Sequence, residues 1–292
     1  MGGLITLPFQ NMTKSYLKII TLLFVFCLIG CSFRNDRRHI KEPEPTNPIS
    51  KNEKNFDAEV DSAADTGDFI VEYVDSHFYP KYESELRSNK VLEKAADRLN
   101  RSLALPQDIK IRVQDCSSPD ASYDPETKTI KICFNLIEHF TKLFFSETTD
   151  EVVAYQKAVE ATRFAFLHEL GHALIDVYSL PVTGNEEDAA DRLSTFICLD
   201  QLGDEGIKSV LSAAEAFRIE AKNQVRRNLA DDHLLQEQRF YNSLCLIYGS
   251  DPDKYSRFVT DKYLPIERAR KCPEEYEKMV RSWTELLAPW RR

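Results

Sequence analysis

The sequence predicts an α+β domain, mainly helical, with one small antiparallel sheet. Apolar residues recur at helical spacing through most of the chain. Only two short stretches, 109–113 and 129–134, alternate apolar with polar residues as half-buried strands do. Between them lies Asp124-Pro125-Glu126-Thr127, turn chemistry suited to joining neighbouring strands. At 292 residues the chain has room for an ample core.

Taken in order, residues 1–30 read as a lipoprotein signal peptide. Lys14 and Lys18 form a basic region, and an apolar run from Ile19 to Ile29 follows, too short for a comfortable membrane span. Translation from Met12 gives a more usual signal length than Met1. Residues 31–57 read as a lipidated Cys31 and a flexible tether, polar and proline-bearing around Pro43, Pro45 and Pro48. Residues 58–292 are the folded part. Phe69, Ile70, Tyr73 and Val74 fall at helical spacing, as do Leu92, Ala95, Ala96 and Leu99, with Pro80 and Pro106 separating the pieces. After the two strands, helices are expected over 136–145 and 151–178. Leu180-Pro181-Val182-Thr183-Gly184 breaks the second, and Asn185 caps the next, which runs to about Leu202. Further helices are expected over 204–228, 234–248, 252–262 and 266–287, with Pro252, Pro265 and Pro273 near starts, where proline is tolerated.

The formal net charge is -9, and -11 without the first thirty residues, whose only charges are Lys14 and Lys18. Such an acidic surface argues against nucleic acid as a partner. Of the seven cysteines, five lie in the folded part, none in C-x-x-C spacing, so a cysteine metal site is not expected. In an exported protein the natural pairs are Cys116 with Cys133, stapling a hairpin, and Cys245 with Cys272, tying two late helices. Cys198 then stays a buried thiol. The alternative is five reduced core cysteines.

The chemistry concentrates in His168-Glu169-Leu170-Gly171-His172. Two histidines four apart on a helix face the same way, so their imidazoles can converge on one cation. Catalytic zinc takes three protein ligands and keeps a position open for water. Glu186, Glu187, Asp188 and Asp191 are candidates for the third. A helix beginning after Asn185 puts Glu187 and Asp191 on one face, so Glu187 as ligand with Asp191 accepting a histidine ring N–H fits best. Glu186 and Asp188 then read as charges favoured by the helix start. Glu169 is the candidate general base. An oxyanion would need a further donor: His233, or less specifically Tyr123 or Tyr241. Gly171 in mid-helix would let a neighbouring backbone or a substrate come close. His77 and His139 read as ordinary structural histidines.

These residues resemble the gluzincins, zinc peptidases with H-E-x-x-H and a later Glu ligand. The motif order resembles the HtpX-like and CAAX-prenyl-protease-like branch. Asp120-Ala121-Ser122-Tyr123-Asp124-Pro125 resembles the strand and turn lining its cleft, with Asp120 and Ser122 where the branch has Asn and Phe. Glu187-Asp188-Ala189-Ala190-Asp191 resembles its E-x-x-A-D. The block from His233 to Phe240 resembles its H-P-x-x-E-x-R-I, with Leu234 for Pro. That likeness implies a zincin-like fold, a transition-state role for His233 and a bracing role for Arg239. A closer likeness, over about Val71 to Pro289, is to a bacterial family of metallopeptidases without assigned function. Leu28-Ile29-Gly30-Cys31 resembles the lipobox of bacterial lipoproteins, and Ser32 after it resembles the class directed to the outer membrane.

The expectation is therefore a zinc-dependent hydrolase acting on peptides or proteins, held by a lipid anchor to the envelope and facing the periplasm. Two alternatives stay open: a catalytically weak zinc-binding envelope module, and a zinc amidase acting on cell-wall material.

Overall fold

The structure, a computed structural model, describes residues 65–224 and 226–292. The signal, Cys31 and the tether lie outside the described residues. The chain forms a mainly helical α+β fold around one four-stranded sheet.

Strand β1 (Phe69–Tyr73) is followed by helices α1 (Pro80–Ser88) and α2 (Val91–Ser102), then strand β2 (Ile109–Gln114). The helical spacing read at residues 69–74 is overturned. Phe69-Ile70-Val71-Glu72-Tyr73 is rich in β-branched and aromatic residues, and it pairs with β2 along its whole length. Two apolar pairs in a six-residue run fit either period, and the sheet decides.

Strands β3 (Ala121–Asp124) and β4 (Thr129–Cys133) form a hairpin across the 124–127 turn, but the two strands legible from alternation, β2 and β4, are parallel neighbours, and the sheet as a whole is mixed. Its order is β1-β2-β4-β3; β1–β2 and β2–β4 are parallel, and only β3–β4 is antiparallel. The expectation of an antiparallel sheet followed from the local turn. That turn specifies one pairing and is silent about the next neighbour. The crossover through α1 and α2 makes β1 and β2 parallel, as such connections do. The link from β2 carries the chain past the β4 position to the outer edge, and the hairpin brings it back beside β2. Cys116 in that link is bonded to Cys133 at the end of β4. The disulfide therefore ties the link to the hairpin's last strand.

Helices α3 (Phe134–Phe145) and α4 (Glu151–Val177) follow. Asp150 caps α4, accepting from the amides of Val152 and Val153. One face of β2 and β4, Ile109, Ile111, Ile130 and Ile132, is buried in a core with Leu167, Leu170 and Leu174 of α4 and Leu92 and Ala96 of α2. Burying a side chain of this size contributes roughly 1.5–3 kcal/mol. This contact fixes the height and rotation of α4 against the sheet.

Helix α5 (Glu186–Phe196) begins where Asn185 accepts from the amide of Asp188 at 2.9 Å, and it runs on into a π-helical turn at Ile197–Gln201. Helices α6 (Asp204–Asn223) and α7 (Gln236–Ser250) are close to their expected ranges. The two late expectations are not. Residues 252–262 contain one helical turn, α8 (Arg257–Thr260), and 266–287 divides into α9 (Ile266–Ala269) and α10 (Cys272–Leu287). Pro273 lies in the first turn of α10, where its missing N–H costs nothing and its ring favours a new start over continuation. Cys245 of α7 is bonded to Cys272 of α10, while Cys198 is a buried thiol.

Candidate metal centre

Helix α4 carries His168, Glu169 and His172; helix α5 crosses it at Gly171. A Cβ added at Gly171 would lie 3.0 Å from the Cα and 3.1 Å from the Cβ of Ala190. The glycine thus serves the backbone approach of α5, and that approach delivers the acids of α5 to the two imidazoles.

The rings are oriented from behind. His168 Nδ1 lies 2.9 Å from Asp191 Oδ1, and His172 Nδ1 lies 2.8 Å from Glu186 Oε1. Each carboxylate accepts a ring N–H, which leaves the two Nε2 lone pairs facing forward. They converge: His172 Nε2 is 3.2 Å from His168 Nε2, and Glu187 Oε2 is 3.0 Å from the first ring and 3.4 Å from the second. Ligand bonds of about 2.0–2.2 Å in a tetrahedron separate donors by roughly 3.3–3.6 Å. The donor set and its spacing therefore fit a small divalent cation. His168, His172 and Glu187 offer three ligand atoms within 4.8 Å of one another.

Asp191 is itself held. Arg239 of α7 donates Nε to Asp191 Oδ2 and Nη2 to Asp191 Oδ1, both at 2.8 Å, and its guanidinium lies 4.0 Å from the centroid of Phe217. A two-point clamp of this kind fixes a carboxylate's plane as well as its position. The path Arg239, Asp191, His168 thus sets one imidazole in a largely buried place.

The electrostatics follow from burial and these contacts. Burial disfavours the charged form of His168, but Asp191 and Glu187 outweigh it and push the ring up to about 9. His172 is likewise raised, its burial overcome by Glu187 and Glu186. Glu187 and Asp191 go the other way, held well below the usual carboxylate range despite burial, Glu187 by three imidazoles and Asp191 by Arg239 and His168. Glu169 is different. It is 7% exposed, and burial raises its carboxyl above the ordinary value.

The front opens into a cleft of about 810 Å³, lined by β3 and its flanks, by α4 and the start of α5, and by Asp232 and His233. Of the three candidate oxyanion donors, His233 reaches the imidazole pair. Its Nε2 lies 2.9 Å from Glu187 Oε2 and its ring stacks at 5.9 Å from that of His168. Tyr123 lines the cleft, but its hydroxyl donates to Asp176 Oδ2 at 2.6 Å. Tyr241 lies outside the lining, on the exposed side of α7. His139 pairs weakly with Glu220 at 3.4 Å and does not line the cleft.

Glu186 is the residue the sequence reading missed. Its place at the helix start suits a charge favoured by the dipole, yet it also accepts from His172. In the first turn of a helix adjacent side chains splay about 100° apart, so Glu186 and Glu187 can meet different atoms of the same imidazole. The usable signal was that both ring N–H groups need an acceptor, and Asp191 can serve only one. Asp188 does remain outside, paired with Arg192 at 2.7 Å.

Two histidines and an acid from crossing helices, each ring braced by a second acid, make a group able to hold a divalent cation, as a metal-dependent hydrolase requires. The family comparison agrees. Residues 73–287 match the model of the family DUF4344, described as "putative metallopeptidase", and the chain belongs to that family. The comparisons with curated proteins and with solved structures gave no match.

Proposed function

We propose that this protein is a zinc-dependent peptidase of the gluzincin type. The observation that carries this reading is the convergence of His168, His172 and Glu187 beside the buried, cleft-facing Glu169. Zinc, when bound, polarises a carbonyl and makes its water acidic enough to yield a nucleophile near neutral pH. Glu169 would accept a proton from water in the cleft and pass it to the leaving amine, and its burial raises its proton affinity. Asp191 and Glu186 keep each histidine in the tautomer that presents Nε2. His233, now on Glu187, faces the space where charge would develop on the substrate oxygen. Strand β3 is an edge strand beside the cleft, and an extended peptide can pair with its free side.

The envelope setting belongs to the same proposal. The leader and Cys31 would anchor the chain by lipid to the outer membrane, facing the periplasm, with the tether lifting the domain clear. The two disulfides suit an oxidising compartment.

The test is a digestion screen with zinc-loaded protein on unfolded proteins and on cell-wall fragments. Cleavage of unfolded protein that stops on chelation supports the peptidase. Cleavage confined to cell-wall fragments replaces it with the amidase, and bound zinc without turnover leaves a binding module. Mass analysis of the mature N-terminus tests the anchor: a chain beginning before Cys31, or lacking acyl mass, removes it.

A further inference from the structure

Six carboxylates line the cleft: Asp120, Glu169, Asp176, Glu186, Glu187 and Asp232. No described lysine or arginine side chain lines it with them. Three have partners that account for them. Glu187 receives three imidazoles, Glu186 receives His172, and Asp176 is met by Lys128 Nζ at 2.7 Å and by Tyr123.

The other three are left to the cleft. Glu169 is more than nine-tenths buried and faces the cleft, and no described residue donates a hydrogen bond to it. Its carboxylate opens on the cleft, where a group entering the site can donate to it. Asp120 is met by Lys131 Nζ at 3.0 Å and by a long hydrogen bond from the Ser122 hydroxyl at 3.4 Å, and its side chain is 42% exposed, so these pairings are weak and exchangeable. Asp232 is exposed, with no ion pair to its side chain among the described residues. Its position is nonetheless fixed, because Asn185 Nδ2 donates to its backbone carbonyl at 2.6 Å. Asp120 stands just before β3 and Asp232 just before α7, so two separate segments each present a carboxylate to the same space. A divalent ion at the centre, with Lys128 and Lys131 counted against their partners, still leaves the lining net negative.

We propose that this cleft selects peptide segments bearing positive charge, with Asp120 and Asp232 as the specificity-determining residues that receive lysine or arginine side chains near the bond presented to Glu169. The proposal rests on the peptidase reading above. An acidic segment would bring like charge into a space already negative, whereas a basic one replaces water around carboxylates that lack strong partners. The acidic surface as a whole would speed encounter with such segments.

The test uses the zinc-loaded protein and three peptides of one constant sequence whose variable positions hold lysine, glutamine or glutamate. The lysine peptide should exceed the glutamine peptide in kcat/KM by about tenfold, with the glutamate peptide slowest, and the spread should shrink as salt rises to about 0.5 M. Asp120→Asn and Asp232→Asn should each lower the lysine-to-glutamine ratio by about threefold. Merely structural damage would lower all three peptides together and leave the ratio unchanged. Equal rates for the three peptides, or ratios untouched in both variants, would overturn the proposal while leaving the peptidase standing. If no peptide is cut, the peptidase reading fails, and fluorescence anisotropy of the same peptides decides the charge preference. Tighter binding of the lysine peptide, weakened by both substitutions, sustains it, and equal binding ends it.

Discussion

Helix α4 carries two buried polar clusters, and they are built in opposite ways. In the first, Glu160 and Arg163 pair at 2.6 Å, and Ser209 of α6 joins them, donating to Glu160 Oε2 at 2.6 Å and accepting from Arg163 Nη1 at 3.0 Å. Opposite charges are matched inside the cluster, although Glu160 Oε1 has no hydrogen-bond partner among the described residues. In the second, one turn or so further on, three imidazoles crowd a single Glu187 oxygen, and Glu169 beside them receives no hydrogen bond from the described residues. Both clusters are buried, so burial of charge does not mark a site. What marks the second is a set of donor atoms converging on one point at ligand spacing, open to a cleft and beside the cleft-facing Glu169.

Substitutions in the two clusters should therefore fail differently. The largest effect belongs to Glu169→Gln, which should lower kcat by about 10²–10⁴-fold in a peptide-cleavage assay with zinc content unchanged. Next is Arg163→Met in the matched cluster. It strands a buried carboxylate and should cost about 3–5 kcal/mol in urea unfolding, while the folded fraction keeps its metal affinity. Asp191→Asn should do the reverse, weakening metal affinity about 10–100-fold in chelator competition with a smaller loss of stability.

The same aspartate gives a pH dependence. Burial favours neutral Asp191, yet Arg239 and His168 prevail and hold its carboxyl below the usual range. Such a group contributes stability that is present above its unfolded pKa, about 3.9, and is lost as pH falls through the lower folded value. Acid unfolding of the metal-free protein should be steeper below about pH 4 in the wild type than in Asp191→Asn. The smallest effect is Gly171→Ala. The helix gains about 1 kcal/mol, but overpacking against Ala190 costs roughly 1–3 kcal/mol. A modest net loss in thermal unfolding is expected.

Much of this was readable in the sequence where the signal was local. The spacing of His168 and His172, Asn185 as a helix cap and the β3–β4 turn each depend on residues within one turn of one another. The cysteine pairs were near neighbours in sequence, and both form. The sheet's parallel pairings were not readable, because they depend on crossovers that leave no mark at the strands themselves. Residues 69–74 are ambiguous in sequence because six residues are too few to separate periods of 2 and 3.6. Glu186 was passed over because its partner lies across a helix crossing that Gly171 makes close. The acidic lining was hidden for the same reason: Asp120, Asp176 and Asp232 come from three distant segments.

The central claim is that the two helices hold one metal ion through His168, His172 and Glu187. Elemental analysis after zinc loading and exhaustive dialysis tests it most directly. The wild type and Glu169→Gln should each retain about one zinc per chain, and His168→Ala and Glu187→Ala should retain almost none. A wild-type protein that keeps no zinc, or ligand variants that keep as much as the wild type, would contradict it.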